Sequence, residues 1–266
     1  MLNVENLKKY FPVERGVFRR IVDYVRAVDG ISFEIRKREV FALVGESGCG
    51  KTTTAKLIVG LLEPTDGGIF FYGKDIYLLG RRELARKIQI IFQDPFASLN
   101  PRLTIGTIVG EAVKYRLEFA GEKVKSKEIR KETKRLLNRV GLPVNILNEY
   151  PHQFSGGQRQ RIGIARALAM QPELIVADEP VSSLDISVQA QILNLLLDLR
   201  DSLGLSYLLI AHDLNVVRFL SDRVAVMYQG KIVERGSVKK VYQGPQHSYT
   251  KRLLEAIPTP EPMPIE

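Results

Sequence analysis

Short apolar runs alternate with amphipathic stretches along most of this chain after residue 40. The clearest runs are Val40–Val44, Ile88–Phe92, Leu174–Ala177 and Tyr207–Ala211. Between them, apolar residues recur at helical spacing at Ala55, Ile58, Val59 and Leu62, and again within Val188–Leu203. Strands that alternate with helices predict an α/β fold, in which helices cover both faces of a mainly parallel sheet.

The region before residue 40 has a different pattern. Short strands of an antiparallel sheet are predicted at Leu2–Val4, Val25–Val28 and Ile31–Ile35. A basic and aromatic insertion, Gly16–Tyr24 (GVFRRIVDY), lies between them, and we interpret it as a surface loop. Near the other end of the chain, Val224–Met227 and Lys231–Glu234 flank a tight turn and predict a β-hairpin.

The middle of the chain is predicted to be mostly helical. Ile108–Phe119 and Lys127–Val140 are the clearest helices, and no strong strand pattern separates them. Ser155-Gly156-Gly157 opens a further helix that runs to Met170 and that Pro172 ends. We therefore expect a helical subdomain, at about residues 96–165, inserted in the α/β fold.

A glycine-rich segment links the strand Val40–Val44 to the helix that follows it. Gly45–Thr52 (GESGCGKT) matches the pattern G-x-x-x-x-G-K-[ST] at every fixed position, in the strand–loop–helix context that this phosphate-binding loop requires. Glycine lets the backbone turn tightly and present its N–H groups to phosphate oxygens, and the positive end of the helix points at the same place. Lys51 is expected to reach the β- and γ-phosphates, and Thr52 to bind Mg²⁺. The alternative is a glycine-rich turn that binds nothing.

Two adjacent acids follow a second apolar run. Asp178 and Glu179 come directly after Leu174–Ala177, 127 residues beyond Lys51 (178 − 51). Because neighbouring strand residues point to opposite sides, the two carboxylates can have different roles. Asp178 is predicted to lie near Mg²⁺, and Glu179 to act on the attacking water as general base.

Composition limits the other classes of function. The 266 residues are 45% hydrophobic and 26% charged, as in ordinary globular proteins, and no apolar run approaches the roughly 20 residues of a membrane span. With no signal peptide at its start and a single cysteine, the chain is expected to be cytosolic and free of disulfides. The net charge of +9 is spread along the chain and mixed with acids, which favours a basic face near phosphates or an anionic membrane over nucleic-acid binding.

Taken together, the motifs resemble the nucleotide-binding subunit of an ABC transporter, a P-loop NTPase of RecA-like fold. The motifs that carry the resemblance, in the order of the family, are Gly45–Thr52 (Walker A), Gln93 (Q-loop), Phe154–Gln158 (signature), Leu174–Glu179 (Walker B), Ser183–Asp185 (D-loop) and His212 (switch). The first signature residue is Phe154 where the family most often has Leu, and the position stays apolar.

The resemblance implies that two such domains face each other and hold ATP between them. Ser155 and Gly157 would then contact the γ-phosphate bound to the opposite subunit, and His212 would hold the γ-phosphate and the water. An aromatic residue is expected to stack on adenine, with Phe11 the first choice and Tyr10 the second. Either aromatic could equally belong to the core.

The predicted site has three groups of residues. The nucleotide-binding group is Phe11, Gly45, Glu46, Ser47, Gly48, Cys49, Gly50, Lys51, Thr52 and Thr53, joined from the opposite subunit by Ser155, Gly156, Gly157 and Gln158. The catalytic group is Lys51, Gln93, Glu179 and His212, and the Mg²⁺ group is Thr52, Gln93 and Asp178. Cys49 is either a small residue that fits the loop or, if its sulfur is accessible, a thiol that Lys51 and the nearby N–H dipoles activate.

Further stretches resemble one branch of the family, the oligopeptide and dipeptide importers. The carriers are 93–96 (QDPF), 98–101 (SLNP), 181–192 (VSSLDISVQAQI) and 247–251 (HSYTK), and the insertion at 16–24 resembles the F-type of that branch's two paired ATPases. Related importers carry nickel or oligosaccharides, so the cargo stays open. The resemblance implies a nucleotide-binding domain at 1–235 and a C-terminal tail at 236–266. No Fe–S cluster is expected, because the Pro-rich end at 258–266 lacks the cysteines that longer members carry.

The partners that this branch implies are two membrane permeases, a second ATP-binding subunit that is either a copy of this chain or a D-type partner, and indirectly an extracytoplasmic solute-binding protein. The chain would then lie at the cytoplasmic face of the cell membrane. One alternative is a soluble ABC ATPase that acts on DNA or ribosomes, although neither a second cassette nor a long coiled-coil insertion is visible. Another is a non-catalytic regulator, which the presence of both Glu179 and His212 argues against.

Overall fold

The computed structural model describes residues 1–16, 20–94, 96–122 and 124–256. Its strands are β1 (Leu2–Arg15), β2 (Arg20–Ile35), β3 (Val40–Val44), β4 (Asp66–Phe71), β5 (Lys74–Asp75), β6 (Ile88–Ile91), β7 (Leu174–Asp178), β8 (Ser206–Ala211), β9 (Arg223–Tyr228) and β10 (Lys231–Ser237). Its α-helices are α1 (Lys51–Ile58), α2 (Arg81–Lys87), α3 (Ile105–Phe119), α4 (Ser126–Arg139), α5 (Gly156–Ala169), α6 (Ile186–Leu203), α7 (Leu214–Leu220), α8 (Val238–Gln243) and α9 (Ser248–Glu255). These elements confirm the predicted α/β class.

A six-stranded sheet forms the centre of the molecule. Its strand order is β10-β9-β3-β8-β7-β6, with parallel pairing from β9 to β6 and one antiparallel pair, β9 with β10. Along β3, Val40, Ala42 and Val44 belong to the apolar core on one face, and Phe41 and Leu43 to the core on the other. The uninterrupted apolar run therefore reflects a strand that is buried on both faces.

The first two strands differ from the predicted short strands. β1 and β2 form one long antiparallel hairpin that belongs to a four-stranded sheet of order β2-β1-β4-β5. The interpretation of the insertion at 16–24 as a surface loop is wrong for its second half, because residues 20–24 belong to β2 and pair with β1, Tyr24 opposite Pro12. Residues 17–19 of the insertion lie outside the described part of the chain, as does the Pro-rich end at 258–266.

Three helices pack against one another beside the six-stranded sheet. They are α3, α4 and α5, and the apolar residues that they bury, such as Val109, Leu137 and Ile164, continue into the core on one face of the sheet. The predicted helices at 108–119, 127–140 and 156–170 are confirmed to within three residues at each end. Whether this group is a separate subdomain with boundaries at 96 and 165 stays a prediction.

Four parallel strands of the central sheet end at the same edge. Gly45 follows β3, Gln93 lies two residues after the end of β6, Asp178 ends β7, and His212 follows β8. The carboxyl ends of parallel strands are where ligands bind in open α/β sheets. In the described part of the chain, no helix is long and apolar enough to cross a membrane.

Candidate functional site

The loop between β3 and α1 is shaped by glycines that no other residue could replace. Gly45 and Gly50 have φ angles of 154° and 112°, outside the range that other residues readily adopt. A Cβ atom at Gly45 would lie 2.2 Å from the carbonyl oxygen of Met227, and one at Gly50 would lie 2.1 Å from the carbonyl oxygen of Ala27. The loop therefore passes between two strands at a distance that only glycine permits.

The N–H groups at the start of α1 are not used by the helix. Its first hydrogen bond runs from the Thr54 N–H to the Gly50 carbonyl, at 2.9 Å, so the N–H groups of Lys51, Thr52 and Thr53 have no partner within the helix. Helix N–H groups in this position attract anions. A cavity of about 440 Å³ opens beside them, lined by Ala27, Ser47, Gly48, Gly50, Lys51, Thr52, Thr53, Gln93, Glu179 and His212.

Lys51 lies against its own loop. Its ammonium group donates to the carbonyl oxygens of Gly45, at 2.7 Å, and of Glu46, at 2.8 Å, and the residue is 5% exposed. Both bonds hold the positive charge at the mouth of the loop. The predicted contact between Lys51 and the phosphates of a nucleotide stays a prediction.

Thr52 and Asp178 meet beneath the cavity. The Thr52 hydroxyl donates to Asp178 Oδ1 at 3.3 Å, and Asp178 is 5% exposed. Burial raises the pKa of the Asp178 carboxyl, and the hydrogen bond from Thr52 opposes that shift only in part. A hydroxyl and a buried carboxylate are hard oxygen ligands of the kind that Mg²⁺ takes when phosphate and water complete its shell, so the donor set fits this ion.

Glu179 leaves the strand in a different direction from Asp178. Its φ angle of 47° lies in the left-handed region, and its N–H donates to the Ile210 carbonyl at 2.9 Å. The two carboxylates are therefore separated by a backbone turn after β7, not by the alternation of a continuing strand as the sequence suggested. A left-handed residue other than glycine is often found where function maintains the strain.

Two of the predicted catalytic side chains converge on one carboxylate oxygen of a third. Gln93 Nε2 donates to Glu179 Oε2 at 2.9 Å, and His212 Nδ1 lies 3.0 Å from the same oxygen. The Glu179 side chain is 15% exposed and that of His212 is 55% exposed. Gln93 thus contacts the predicted base, whereas its predicted contact with Mg²⁺ stays a prediction.

The signature residues lie outside the cavity. Ser155 caps α5, since its hydroxyl accepts from the Gln158 N–H at 3.3 Å while the Gln158 side chain accepts from the Ser155 N–H at 3.0 Å. A Cβ atom at Gly157 would lie 2.3 Å from Val188 Cγ1, so a glycine is needed for α5 to pack there. None of the residues Ser155, Gly156, Gly157 and Gln158 lines the cavity that Lys51 lines.

Neither the predicted adenine contact nor the role of Cys49 follows from the cavity alone. Phe11 is 36% exposed, with the Lys9 ammonium 5.3 Å from the centre of its ring, and neither it nor Tyr10 lines the cavity in the described structure. Stacking on adenine stays a prediction. Cys49 is buried at 8% exposure, and burial raises the pKa of its thiol despite the nearby Lys51, which favours the alternative of a small residue that fits the loop over that of an activated thiol.

One lining residue was missed by the sequence patterns. Ala27, in β2, borders the cavity through the close approach of its backbone to Gly50. Because an alanine within a strand carries no chemical signal, only the packing of β2 on the loop identifies it.

The sequence pattern of the ABC transporter family matches residues 28–182, which contain the phosphate loop, Gln93, Asp178 and Glu179. The chain belongs to the ABC transporter family.

Individual ABC proteins are similar over nearly the full length of this chain. The oligopeptide transport ATP-binding protein AppF of Bacillus subtilis is 49% identical over 97% of this chain and 78% of its own length. OppF of the same species, also an oligopeptide transport ATP-binding protein, is 50% identical over 98% of this chain and 84% of its own length. The dipeptide transport ATP-binding protein DppF of Haemophilus influenzae is 46% identical over 98% of this chain and 79% of its own length.

Solved structures of ABC cassettes share the fold. A dimeric ATP-binding cassette in a post-hydrolysis state, bound to ADP and Pi, aligns with a TM-score of 0.76 at 29% identity, and the match covers 90% of this chain and 99% of that one. These similarities confirm the resemblance to ABC ATPases of the peptide-import branch.

Proposed function

We propose that this chain is the ATP-hydrolysing subunit of an importer of peptides or related small solutes. The observation that carries the proposal is the convergence of Gln93 and His212 on Glu179 at the rim of the phosphate-loop cavity. It occurs in a chain that is about half identical, over nearly its full length, to oligopeptide and dipeptide transport ATP-binding proteins.

The geometry supports a specific role for Glu179. Oε2 is shared by Gln93 and His212, so it is held in place, while Oε1 has no partner among the described residues. Oε1 is then available to accept a proton from the water that attacks the γ-phosphorus of ATP. The water oxygen forms a bond to phosphorus, the bond from phosphorus to the β–γ bridging oxygen breaks, and ADP leaves.

Lys51, Thr52 and Asp178 supply the electrostatic part of the site. Lys51 and the N–H groups at the start of α1 bind the phosphate oxygens, which stabilises negative charge as it shifts to the leaving ADP. Thr52 and Asp178, with Gln93 as a further candidate, would hold Mg²⁺, which neutralises charge on the β- and γ-phosphates when it is bound.

The position of the signature residues supports a dimer as the active form. Ser155 and Gly157 belong to the signature segment that carries the family resemblance, yet they lie outside the cavity of their own chain. They are free to complete the cavity of a second ATP-binding subunit, either a copy of this chain or a D-type partner. Two permeases would then hold the dimer at the cytoplasmic face of the membrane, and a solute-binding protein would deliver cargo to the permeases.

Co-purification tests this proposal against the soluble alternative. A tagged chain extracted from solubilised membranes of its own organism is expected to carry two permeases and, if one exists, a D-type ATPase. Recovery of ribosomes or DNA without permeases would contradict the import function. The transport relatives do not favour that alternative.

A further inference from the structure

A side chain of the C-terminal segment reaches the phosphate loop. Tyr249 lies in α9, far along the chain from the loop, and is 2% exposed. Its hydroxyl oxygen accepts a hydrogen bond from the N–H of Glu46 at 2.9 Å. The proposed hydrolysis assigns no role to this contact.

Glu46 is the residue through which the loop holds its lysine. Its carbonyl oxygen accepts from the Lys51 ammonium at 2.8 Å and from the Cys49 N–H at 3.3 Å. The N–H of Glu46 is thus held by the C-terminal segment, while its carbonyl group holds Lys51. Ser47 and Gly48, which follow directly, line the cavity. Movement of the Glu46 backbone would therefore displace both the lysine and the loop.

Tyr249 is itself fixed from two sides. Its ring packs against that of Tyr228, the last residue of β9, with 4.2 Å between the ring centres. At the start of α9, the N–H of Tyr249 donates to His247 Nδ1 at 3.2 Å, and the N–H of His247 donates to the Glu234 carboxylate at 3.0 Å. Glu234 lies in β10, so the helix is anchored to the edge of the central sheet.

The chemistry of the hydroxyl suits a site for phosphate. Burial raises the pKa of the Tyr249 hydroxyl, so the group stays neutral at physiological pH. A neutral oxygen can accept from the Glu46 N–H without adding negative charge to a loop that is proposed to bind phosphate.

We propose that Tyr249 is a positioning residue for the nucleotide, which makes α9 a structural part of the ATP site. The hydroxyl fixes the peptide of Glu46 and, through it, the position of Lys51 and the entry to the loop. This inference rests on the proposed binding of nucleotide at residues 45–52 and adds to it a residue some 200 positions away (249 − 46 = 203).

The substitution Tyr249→Phe tests the inference, because it removes the hydroxyl and keeps the ring on Tyr228. Titration of the full chain with a fluorescent ADP analogue and Mg²⁺ should show an affinity roughly three- to tenfold weaker, as expected for the loss of one supporting hydrogen bond. ADP is the probe because it lacks the γ-phosphate, so that neither His212 nor the signature of a second subunit contributes.

Tyr242→Phe is the matched control. Tyr242 lies in α8 of the same C-terminal segment, and its hydroxyl donates to the Leu214 carbonyl at 2.6 Å, away from the phosphate loop. The Tyr242→Phe variant should lower the melting temperature about as much as Tyr249→Phe does, and it should leave the affinity for ADP unchanged. Hydrogen exchange should also distinguish the two variants, because the Glu46 amide should exchange faster than in the wild type only in Tyr249→Phe.

Two results would overturn the inference. One is that folded Tyr249→Phe binds ADP as tightly as the wild type does, or that Tyr249→Phe and Tyr242→Phe lose ADP affinity to the same extent. The other, measured on the unaltered chain, is rapid exchange of the Glu46 amide in the absence of nucleotide. If the unaltered chain failed to bind ADP at all, the proposed function itself would fall, and that failure is distinct from either result.

Discussion

Gln93 donates a hydrogen bond to Glu179, 86 residues further along the chain, with Nε2 2.9 Å from Oε2. The bond joins the loop after β6 to the end of β7, which are neighbours in the central sheet. Gln93 therefore fixes the carboxylate that we assign as general base, and movement of its loop would move the base.

Gln93→Ala should slow ATP hydrolysis while leaving ATP binding nearly unchanged. A hydrogen bond to a charged group is worth about 1.5–3 kcal/mol, so we expect turnover to fall roughly 10- to 100-fold. Phosphate release at saturating ATP measures the turnover, and titration with a fluorescent ATP analogue measures the binding. Gln89→Ala is a control in the preceding strand, since Gln89 bonds to the Ala85 carbonyl and not to the site. Equal turnover of Gln93→Ala and the wild type would show that Gln93 does not position the base.

Glu179→Gln should remove the base without removing the nucleotide. We expect turnover to fall roughly 10²- to 10⁴-fold at nearly unchanged ATP affinity, because a positioned base contributes that much. Lys51→Ala should instead weaken nucleotide binding, since it deletes the cation at the mouth of the loop. Near wild-type hydrolysis by Glu179→Gln in the assembled transporter would exclude Glu179 as the general base.

Glu179→Gln is expected to trap an ATP-bound dimer, because the γ-phosphate is not removed. Ser155→Arg, added to Glu179→Gln, should abolish that dimer. The arginine would place a bulky side chain where the second subunit approaches, whereas ATP affinity of the monomer should stay within a few-fold because Ser155 lies outside its own cavity. Light scattering reports the dimer. If this chain pairs with a D-type subunit, both subunits are mixed for the measurement.

Ser237→Arg provides the matched control for that experiment. Ser237 caps α8 through its hydroxyl, which accepts from the Lys240 N–H at 3.3 Å, as Ser155 caps α5. Both variants lose a helix cap worth about 1 kcal/mol, but only Ser155→Arg should prevent dimerisation. A large loss of ATP affinity in monomeric Ser155→Arg would instead place Ser155 in the site of its own chain.

Asp178→Asn should stabilise the nucleotide-free protein at neutral pH. Because burial raises the folded-state pKa of this carboxyl above its unfolded value, ionised Asp178 destabilises the fold. This penalty is fully present above the folded-state pKa and disappears as the pH falls to the ordinary carboxyl range. Each 1 kcal/mol by which the substitution increases the free energy of unfolding should raise Tm by about 2–4 °C.

The same variant should lose the additional stabilisation that Mg²⁺ with ATP gives the wild type, because a ligand of the ion is gone. Asp198→Asn is the control, since Asp198 is exposed on α6 and should change neither quantity. If nucleotide-free Asp178→Asn had a lower Tm than the wild type at pH 7, and no higher Tm at any other pH near neutrality, the argument from burial would be contradicted.

Cys49 should react slowly with alkylating reagents. Its thiol is buried and has a raised pKa, so at pH 7–8 the thiolate population is smaller than that of an exposed cysteine. The rate should keep rising with pH beyond the ordinary thiol range, and Mg-ATP should slow it further by closing access through the loop. Mass spectrometry can follow the reaction, since Cys49 is the only cysteine. Labelling as fast as that of free cysteine at pH 7 would show that the sulfur is accessible.

The elements of the central sheet were predictable because their signal is local. A run such as Val40–Val44 is apolar at every position, and that pattern has few explanations other than a strand covered on both faces. The β1–β2 hairpin was not predictable in the same way. Residues 20–26 of β2 are exposed, so their strand conformation comes from pairing with β1 and leaves no pattern of burial in the sequence.

The candidate site likewise has features that local sequence motifs predict and features that depend on contacts between distant parts of the chain. The phosphate loop and the acid pair are contiguous motifs, so the sequence identified Lys51, Thr52, Asp178 and Glu179 together with their expected chemistry. The left-handed turn at Glu179 and the border formed by Ala27 depend on contacts with distant strands, and no residue type at either position indicates them.

The sequence by itself determined the family, the phosphate-binding chemistry and the identity of most candidate site residues, because these depend on residue type and short spacing. Only the tertiary structure decided which of them meet. Gln93 and His212 meet at one oxygen of Glu179 because the strand order places β6, β7 and β8 side by side. Tyr249 reaches Glu46 because α9 packs against the end of β9. Distances between groups far apart in the chain follow from how strands and helices pack, and local residue patterns do not encode that arrangement.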